Sequence, residues 1–187
     1  MIRFNYKIIR SPRRTLSLQI SNDGEVIVRA PYLASGRQIE KFVSSHAIWV
    51  DKKLKDVEQK NASAEQQGML TADDLKVLAK KAKKFLPERV VYYANIIGVS
   101  YGRISIRAQS TRWGSCSDKG NLNFNCLLML TPPEVIDSVI VHELCHRRQM
   151  NHSPAFYREV LKAYPDYKKW NKWLKENGPV LMARVEK

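Results

Sequence analysis

The sequence predicts an α+β fold, because segments with strand periodicity and segments with helix periodicity occupy separate stretches of the chain. Apolar and polar residues alternate in two regions, one near the N-terminus and one between residues 103 and 128. Elsewhere, apolar residues recur at intervals of three and four, as in helices that bury one face. Two small β regions and several helices therefore make up the expected architecture.

Residues 1–60 are predicted to form an N-terminal lobe, a β-meander followed by a helix. The meander comprises strands at Ile2–Ile8 and Leu16–Ile20 and a third strand through Val26 and Val28. A turn at Asn22-Asp23-Gly24 joins the last two. After Pro31, apolar residues from Ile39 to Leu54 predict one helix of about 20 residues.

Small polar residues between Lys60 and Leu70 predict a linker, so that residues 71–187 form a second domain. Thr71 is expected to begin its first helix, Pro87 to kink or restart that helix, and Gly98 to end it. Alternation at Ile104–Ala108 and Leu122–Leu128, with a reversal at Asp118-Lys119-Gly120, predicts a small antiparallel sheet.

Three further helices are expected after this sheet. The first opens at Pro132-Pro133 and ends near Met150-Asn151, and the second begins at Ser153-Pro154. The last helix runs from Asp166 to Asn177 and stops at Gly178-Pro179.

The decisive motif is His142-Glu143-Leu144-Cys145-His146, which matches H-E-x-x-H. Two histidines four residues apart lie on one face of a helix, so both imidazoles can reach one ion. A catalytic Zn²⁺ has three protein ligands, and His152 is the candidate for the third because a bend after the helix would bring it to the same ion. Three of the chain's 4 histidines therefore fall within one short segment.

Glu143 is the candidate general base, because it is offset from His142 by about 100° on the helix and need not be a ligand. Its carboxylate could take a proton from water and pass it to a leaving amine. These features predict a zinc-dependent hydrolase.

Several segments together carry a family resemblance. They are Thr111-Arg112-Trp113-Gly114-Ser115-Cys116-Ser117, Gly120-Asn121-Leu122-Asn123, the H-E-x-x-H motif, and Asn151-His152-Ser153-Pro154-Ala155-Phe156. With these motifs the chain resembles the YgjP-like zinc metallopeptidase family and, more distantly, SprT-like proteases. The resemblance implies that His142, His146 and His152 bind one Zn²⁺, that Glu143 is catalytic, and that the fold is a zincin-like α+β fold with 71–187 as its catalytic domain.

Weaker signals point to the substrate cleft. Arg112 could stabilise a developing oxyanion, Trp113 could line the cleft, and Tyr157 is an alternative oxyanion partner, although hairpin and helix packing explain the same residues. The alternating residues Asn121, Asn123 and Asn125 could mark a strand edge that pairs with an extended peptide, or could simply be solvated.

The charge balance bears on partners. Lysine and arginine number 32 against 18 acidic residues, which gives a net charge of +14. This charge would attract nucleic acid, nucleotide phosphates or acidic peptides. Alternatively, it would only keep the surface solvated. Five lysines follow the helix predicted from Leu75 to Leu86: Lys76, Lys80, Lys81, Lys83 and Lys84. Two alternatives to a simple peptidase therefore stay open, a metal-dependent nucleotide (UTP-type) pyrophosphatase and a nucleic-acid-associated protease.

The three cysteines, Cys116, Cys126 and Cys145, are an odd number without a pairing pattern, which predicts reduced thiols and a cytoplasmic protein. No stretch approaches the ~18 apolar residues of a membrane span, so we expect neither a membrane segment nor export.

Overall fold

The computed structural model describes residues 4–185, and these contain six α-helices and six β-strands. The α+β class predicted from the sequence is confirmed. The chain divides into two compact units between Gln66 and Gln67. Of the predicted elements, only the start of the first strand, at Ile2, lies outside the described residues.

The first unit contains a three-stranded sheet with β1 at Tyr6–Ser11, β2 at Ser17–Ile20 and β3 at Val26–Pro31. The strand order is β1-β3-β2, with β1 parallel and β2 antiparallel to β3. The predicted β-meander is therefore wrong, although all three strands exist. Alternation predicts strands but not their order, and β3 takes the central position because Val26, Val28 and Ala30 are all buried.

The helical part of this unit also differs from the prediction. Instead of one helix there are two, α1 at Gly36–Ser45 and α2 at Ala47–Gln66. They are interrupted at His46, whose Nδ1 lies 2.8 Å from the carbonyl oxygen of Phe42. The linker prediction is wrong for residues 60–66, which continue α2, because alanine, glutamate and glutamine favour helices as readily as loops.

The second unit begins with the long helix α3, Ala72–Ile97. Thr71 caps its first turn together with Asp74, and Gly98 ends it in the left-handed conformation at φ 71°, both as predicted. The helix is not restarted at Pro87, which lies inside one continuous element. Leu78, Leu86 and five other residues of α3 are buried, so packing outweighs the loss of one backbone hydrogen bond.

A second three-stranded sheet follows, with β4 at Ile104–Arg107, β5 at Gly114–Cys116 and β6 at Leu122–Asn125. Its order is β4-β6-β5, with β4 parallel and β5 antiparallel to β6. The predicted antiparallel sheet is therefore wrong, because the turn before Asn121 connects β6 to the short strand β5 and not to β4. Of the two interpretations of Asn121, Asn123 and Asn125, the free peptide-binding edge is wrong, since β6 has a partner on both sides.

After a 3-10 turn at Cys126–Leu130 come α4 at Pro133–Cys145, α5 at Pro154–Ala163 and α6 at Tyr167–Ala183. Helix α4 is almost completely buried and belongs to the main hydrophobic core, which α3, β6 and α6 also supply. Helix α6 continues through the predicted stop at Gly178-Pro179, because Gly178 packs against Trp113 and does not end a helix. None of the helices in residues 4–185 combines the length and apolar character that crossing a membrane requires.

Candidate metal centre and active site

Three histidines meet in the second unit. His142 lies in the last turn of α4, His146 directly follows that helix, and His152 lies in the segment before α5. Each offers one ring nitrogen, and the three nitrogens lie within 4.8 Å of one another. The Nε2 atoms of His142 and His152 are 3.0 Å apart. The structure therefore brings together the three histidines that the sequence singled out.

The convergence depends on where α4 ends. The sequence predicts an end near Met150-Asn151, but the helix ends at Cys145 with His146 as its C-terminal cap, so that prediction is wrong. The chain turns immediately, and the backbone nitrogens of Arg147 and Arg148 donate to carbonyls of the last helical turn. Because the turn comes early, the six residues after His146 suffice to return His152 to the other two rings.

Hydrogen bonds orient the two histidines of the motif. His142 Nδ1 lies 2.9 Å from the hydroxyl of Tyr167, and His146 Nδ1 lies 3.1 Å from the carbonyl oxygen of Gln149. With Nδ1 engaged, the Nε2 of each ring is the nitrogen left for another partner.

The fully buried side chain of Phe156 packs against all three imidazoles, with ring centroids 4.9 Å from His142, 4.6 Å from His146 and 4.9 Å from His152. The roles of Phe156 and Tyr167 were not predicted from the sequence. In the sequence, Phe156 has the pattern of an ordinary helix core residue. No sequence signal connects Tyr167 with His142, which lies 25 positions earlier.

Burial keeps the histidines of the motif neutral. Desolvation, reinforced by repulsion from His146 and His152, lowers the pKa of His142 to about 3. Desolvation also lowers the pKa of His146. At neutral pH both imidazoles therefore offer a lone pair, which is the form that binds metals.

Glu143 lies beside this cluster and is only 6% exposed. Burial raises the pKa of its carboxyl to about 8, and the nearby positive charge of Arg112 opposes the shift. Gly114 of β5 makes room for this carboxyl, since a Cβ at position 114 would lie 2.8 Å from Glu143 Oε1. The site therefore holds a carboxyl that can exchange a proton near neutral pH.

A cavity of about 230 Å³ opens beside His142 and Glu143. Its remaining lining comes from the β4–β5 connection, the first residue of β5, α4 and α6, namely Thr111, Arg112, Trp113, Gly114, Ser138, Val139, Tyr167, Asn171 and Leu174. The predicted cleft residues Arg112 and Trp113 are therefore both at this cavity. Tyr157 is not among the residues that line the cavity. Its ring lies beside that of His152, with the ring centroids 6.3 Å apart.

Asn125 holds the segment that carries Arg112. This fully buried residue donates from Nδ2 to the carbonyl oxygens of Gln109 and Arg112, at 2.7 and 2.9 Å, and its Oδ1 accepts from the Leu127 backbone nitrogen at 3.1 Å. The sequence leaves Asn125 as either part of a peptide-binding edge or a solvated residue, whereas it is a buried support for the cavity wall.

The donor set fits a metal ion. Three neutral imidazoles are nitrogen ligands of the kind that Zn²⁺ and related transition metals favour. Among the described residues, this cluster is the single group of three or more histidine, cysteine or carboxylate side chains within reach of one ion. No comparable carboxylate-rich site, of the kind that Mg²⁺ or Ca²⁺ prefers, occurs in residues 4–185.

Similar solved structures include two metallopeptidase zymogens, Pyrococcus abyssi abylysin and Methanocaldococcus jannaschii jannalysin. Abylysin is 20% identical, with a TM-score of 0.45, and jannalysin is 19% identical, with a TM-score of 0.43. Each similarity covers 49% of this chain and 94% of the other. No curated protein matches the chain.

The family model described as YgjP-like, metallopeptidase domain matches residues 14–76 and 74–177. The match spans both compact units and includes all three converging histidines, Glu143 and the cavity residues. The chain therefore belongs to the YgjP-like metallopeptidase family.

Proposed function

We propose that the protein is a zinc-dependent peptidase that hydrolyses peptide bonds, with one Zn²⁺ per chain held by His142, His146 and His152. The observation that carries the proposal is the convergence of three imidazole nitrogens within 4.8 Å beside a buried carboxyl. Three protein ligands leave a position open for water or substrate, as in catalytic zinc sites. We further propose that residues 71–187 form the catalytic domain.

The spacing of the ligand atoms supports zinc. Two nitrogens bound tetrahedrally to Zn²⁺ at ~2.05 Å would be about 3.3 Å apart. The 3.0 Å between the Nε2 atoms of His142 and His152 is close to that value. The three nitrogens lie within 4.8 Å of one another, so binding of one ion would also draw the widest pair closer together.

Glu143 is the proposed general base. When bound, Zn²⁺ would act as a Lewis acid that polarises the scissile carbonyl and makes water more acidic. Glu143 takes a proton from the attacking water and delivers it to the nitrogen of the leaving amine. Its desolvated carboxyl suits both transfers, because it binds a proton more tightly than an exposed glutamate.

Arg112 and Trp113 are the proposed substrate contacts on the cavity side. The guanidinium of Arg112 can donate to an oxygen that becomes negative during the reaction, and Trp113 offers an apolar wall to a substrate side chain. Tyr157, beside His152, is the alternative donor to that oxygen.

The test combines metal analysis with a peptide-hydrolysis screen on the wild type and Glu143→Gln. We expect about one Zn²⁺ per chain in both proteins and a loss of about 10²–10⁴-fold in hydrolysis for the variant. Glu134→Gln is the matched control, because Glu134 is an exposed residue in the first turn of the same helix. A Glu143→Gln variant as active as Glu134→Gln would overturn the mechanism.

The alternative function, a nucleotide pyrophosphatase, is tested in the same screen. Phosphoryl chemistry usually employs carboxylate-bound hard cations, and the described residues hold only the three-histidine cluster. We therefore expect no chelator-sensitive release of pyrophosphate from UTP or other nucleotides. Such release without any peptide cleavage would replace the peptidase proposal.

A second proposal is that the basic face of α3 binds nucleic acid. Lys80, Lys81, Lys83 and Lys84 are exposed, and among the described residues none of them forms an ion pair. Such a row of free charges can follow a phosphate backbone. Exposed Phe85 and Tyr92 on the same helix could add stacking to bases.

Salt titration of duplex DNA binding tests this surface. Replacing Lys80, Lys81 and Lys84 together by alanine should reduce the slope of log K against log salt by roughly 0.9 for each phosphate that is no longer neutralised. Lys76→Ala is the control, because Lys76 is already paired with Asp73 at 2.9 Å. No binding by the wild type at low salt would exclude the proposal.

A cytoplasmic setting is also proposed. Cys116, Cys126 and Cys145 are all free thiols, and two of them are buried. Free cysteines are typical of reducing compartments.

A further inference from the structure

A hydrogen bond connects the candidate metal centre to the last helix. The hydroxyl of Tyr167 lies 2.9 Å from His142 Nδ1. Tyr167 is the first residue of α6 and is 5% exposed. Its ring plane lies 16° from the imidazole plane, with the ring centroids 6.0 Å apart. A side chain packed this tightly holds its hydroxyl in one place, so the contact constrains the imidazole.

The corresponding contact of His146 is different in kind. Its Nδ1 meets the backbone carbonyl oxygen of Gln149 at 3.1 Å. A carbonyl oxygen only accepts, so it selects the form of His146 with its proton on Nδ1 and a lone pair on Nε2. A phenol can donate or accept, so Tyr167 does not by itself select the form of His142.

The proposed role of His142 as a metal ligand decides the direction of its hydrogen bond. Its Nε2 is the atom that faces His152 Nε2 at 3.0 Å, in the place where the proposed cation would bind. That nitrogen must keep its lone pair to bind a cation, so the ring proton is on Nδ1. The imidazole therefore donates through Nδ1–H, and the Tyr167 oxygen accepts.

We propose that Tyr167 is a positioning residue that holds His142 with its Nε2 lone pair toward the metal position and thereby strengthens Zn²⁺ binding. The inference rests on the proposed function only in taking His142 as a ligand. Hydrogen-bond partners behind metal-binding histidines typically change metal affinity or activity by about 10–100-fold. Here a phenol occupies the position that a carboxylate or carbonyl usually takes, so it orients the ring without adding a negative charge.

The test measures Zn²⁺ affinity by competition with a chromophoric chelator, on the full chain. Tyr167→Phe removes only the hydroxyl and keeps the ring contacts, and we expect its affinity to fall about 10–100-fold. Tyr164→Phe is the matched control, because it removes a hydroxyl that donates to the Glu134 carbonyl oxygen at 3.1 Å. Equal affinity of the two variants would overturn the proposal.

A second measurement keeps the proposal testable if Tyr167→Phe does not fold. The ¹⁵N spectrum of histidine-labelled wild-type protein reports which ring nitrogen of His142 carries the proton. A proton on Nδ1 of His142 in the Zn²⁺-loaded protein, protected from exchange by its acceptor, supports the proposed direction. A rapidly exchanging Nδ1 proton would overturn it, because the acceptor would then be absent.

Failure of the Tyr167 proposal can be distinguished from failure of the peptidase proposal. A wild-type protein that binds Zn²⁺ but cleaves no peptide would overturn the peptidase function, and the affinity comparison would still decide the role of Tyr167. A wild-type protein that binds no Zn²⁺ would overturn both.

Discussion

The two sides of Glu143 are built in different ways. On one side, His142, His146, His152 and Phe156 all come from one short stretch of chain that spans the end of α4 and the start of α5. On the other side, the cavity wall joins Arg112 and Trp113 to residues of α4 and α6 that are distant in sequence. The metal side thus depends mainly on local turns and caps, supplemented by Tyr167 of α6, whereas the cavity side depends on tertiary packing.

This difference separates two kinds of failure. Damage to the metal side should remove the ion and with it all activity. Damage to the cavity side should leave the ion in place and change how substrate is held or how the proton is moved. Four substitutions probe the contrast, in order of expected effect.

The largest effect is expected from His146→Ala. Losing one of three ligands should abolish stoichiometric Zn²⁺ binding, and hydrolysis should fall by about 10³-fold or more, since the metal contributes several kcal/mol to the transition state. Zinc content and kcat/KM are the measurements. His46→Gln is the control, because His46 lies outside the cluster, in the first unit. Full zinc retention by His146→Ala would contradict the assignment of the metal side.

Gly114→Ala probes the boundary between the two sides. The added Cβ would lie 2.8 Å from Glu143 Oε1, so the carboxyl must move away from its present position. A displacement of about 1 Å at a reacting group can cost about 10²-fold in rate, and we expect a loss of that order in kcat with zinc content unchanged. Gly36→Ala, where an added Cβ meets nothing within 4 Å, controls for the general effect of replacing glycine. Equal kcat values for the two variants would show that Glu143 tolerates displacement.

Asn125→Ala acts on the cavity wall alone. It removes the donors to the Gln109 and Arg112 carbonyl oxygens and leaves buried polar groups unpaired, which should lower the free energy of unfolding by about 1–3 kcal/mol per group. The position of Arg112 should loosen, so we expect a lower kcat/KM in protein that still binds zinc. Chemical denaturation and peptide kinetics test both parts. Asn177→Ala, which removes only a bond to Trp173 within α6, should change neither.

The smallest effect is expected from Gly178→Ala. A Cβ at this position would lie 3.0 Å from the indole of Trp113, so the tryptophan must shift slightly in the wall. Overpacking of this kind costs about 1–3 kcal/mol of stability. We expect a change in preference among substrate side chains, with zinc content and Glu143 unaffected. Identical cleavage profiles for variant and wild type would remove Trp113 from substrate recognition.

Sequence patterns were reliable where a signal is local. Ser153 and Thr71 cap the helices predicted to start beside them, and the H-E-x-x-H spacing places two histidines at the end of one helix. Each of these features depends on hydrogen bonds or periodicity within a few residues.

Patterns failed where the outcome depends on distant partners. The predicted strand order of the first sheet was wrong, because alternation says which residues face a core but not which strand lies in the middle. In the second sheet β4 and β6 are adjacent but parallel, and the antiparallel partner of β6 is β5, which was not predicted. Gly178 was predicted to end a helix, but α6 continues through it because the glycine leaves room for the Trp113 side chain. Asn125 reads as an exposed strand residue, but it is a buried support.

The sequence by itself determined the α+β class, the three histidines and the neighbouring glutamate, because helix geometry and residue chemistry suffice to group side chains that are close along the chain. Only the tertiary structure decided that β6 is central, that Asn125 holds the Arg112 segment, and that Tyr167 meets His142. Those interactions join residues whose separation in sequence carries no periodic signal. They exist because burying the apolar faces of α3, α4 and α6 in one core brings their polar neighbours together.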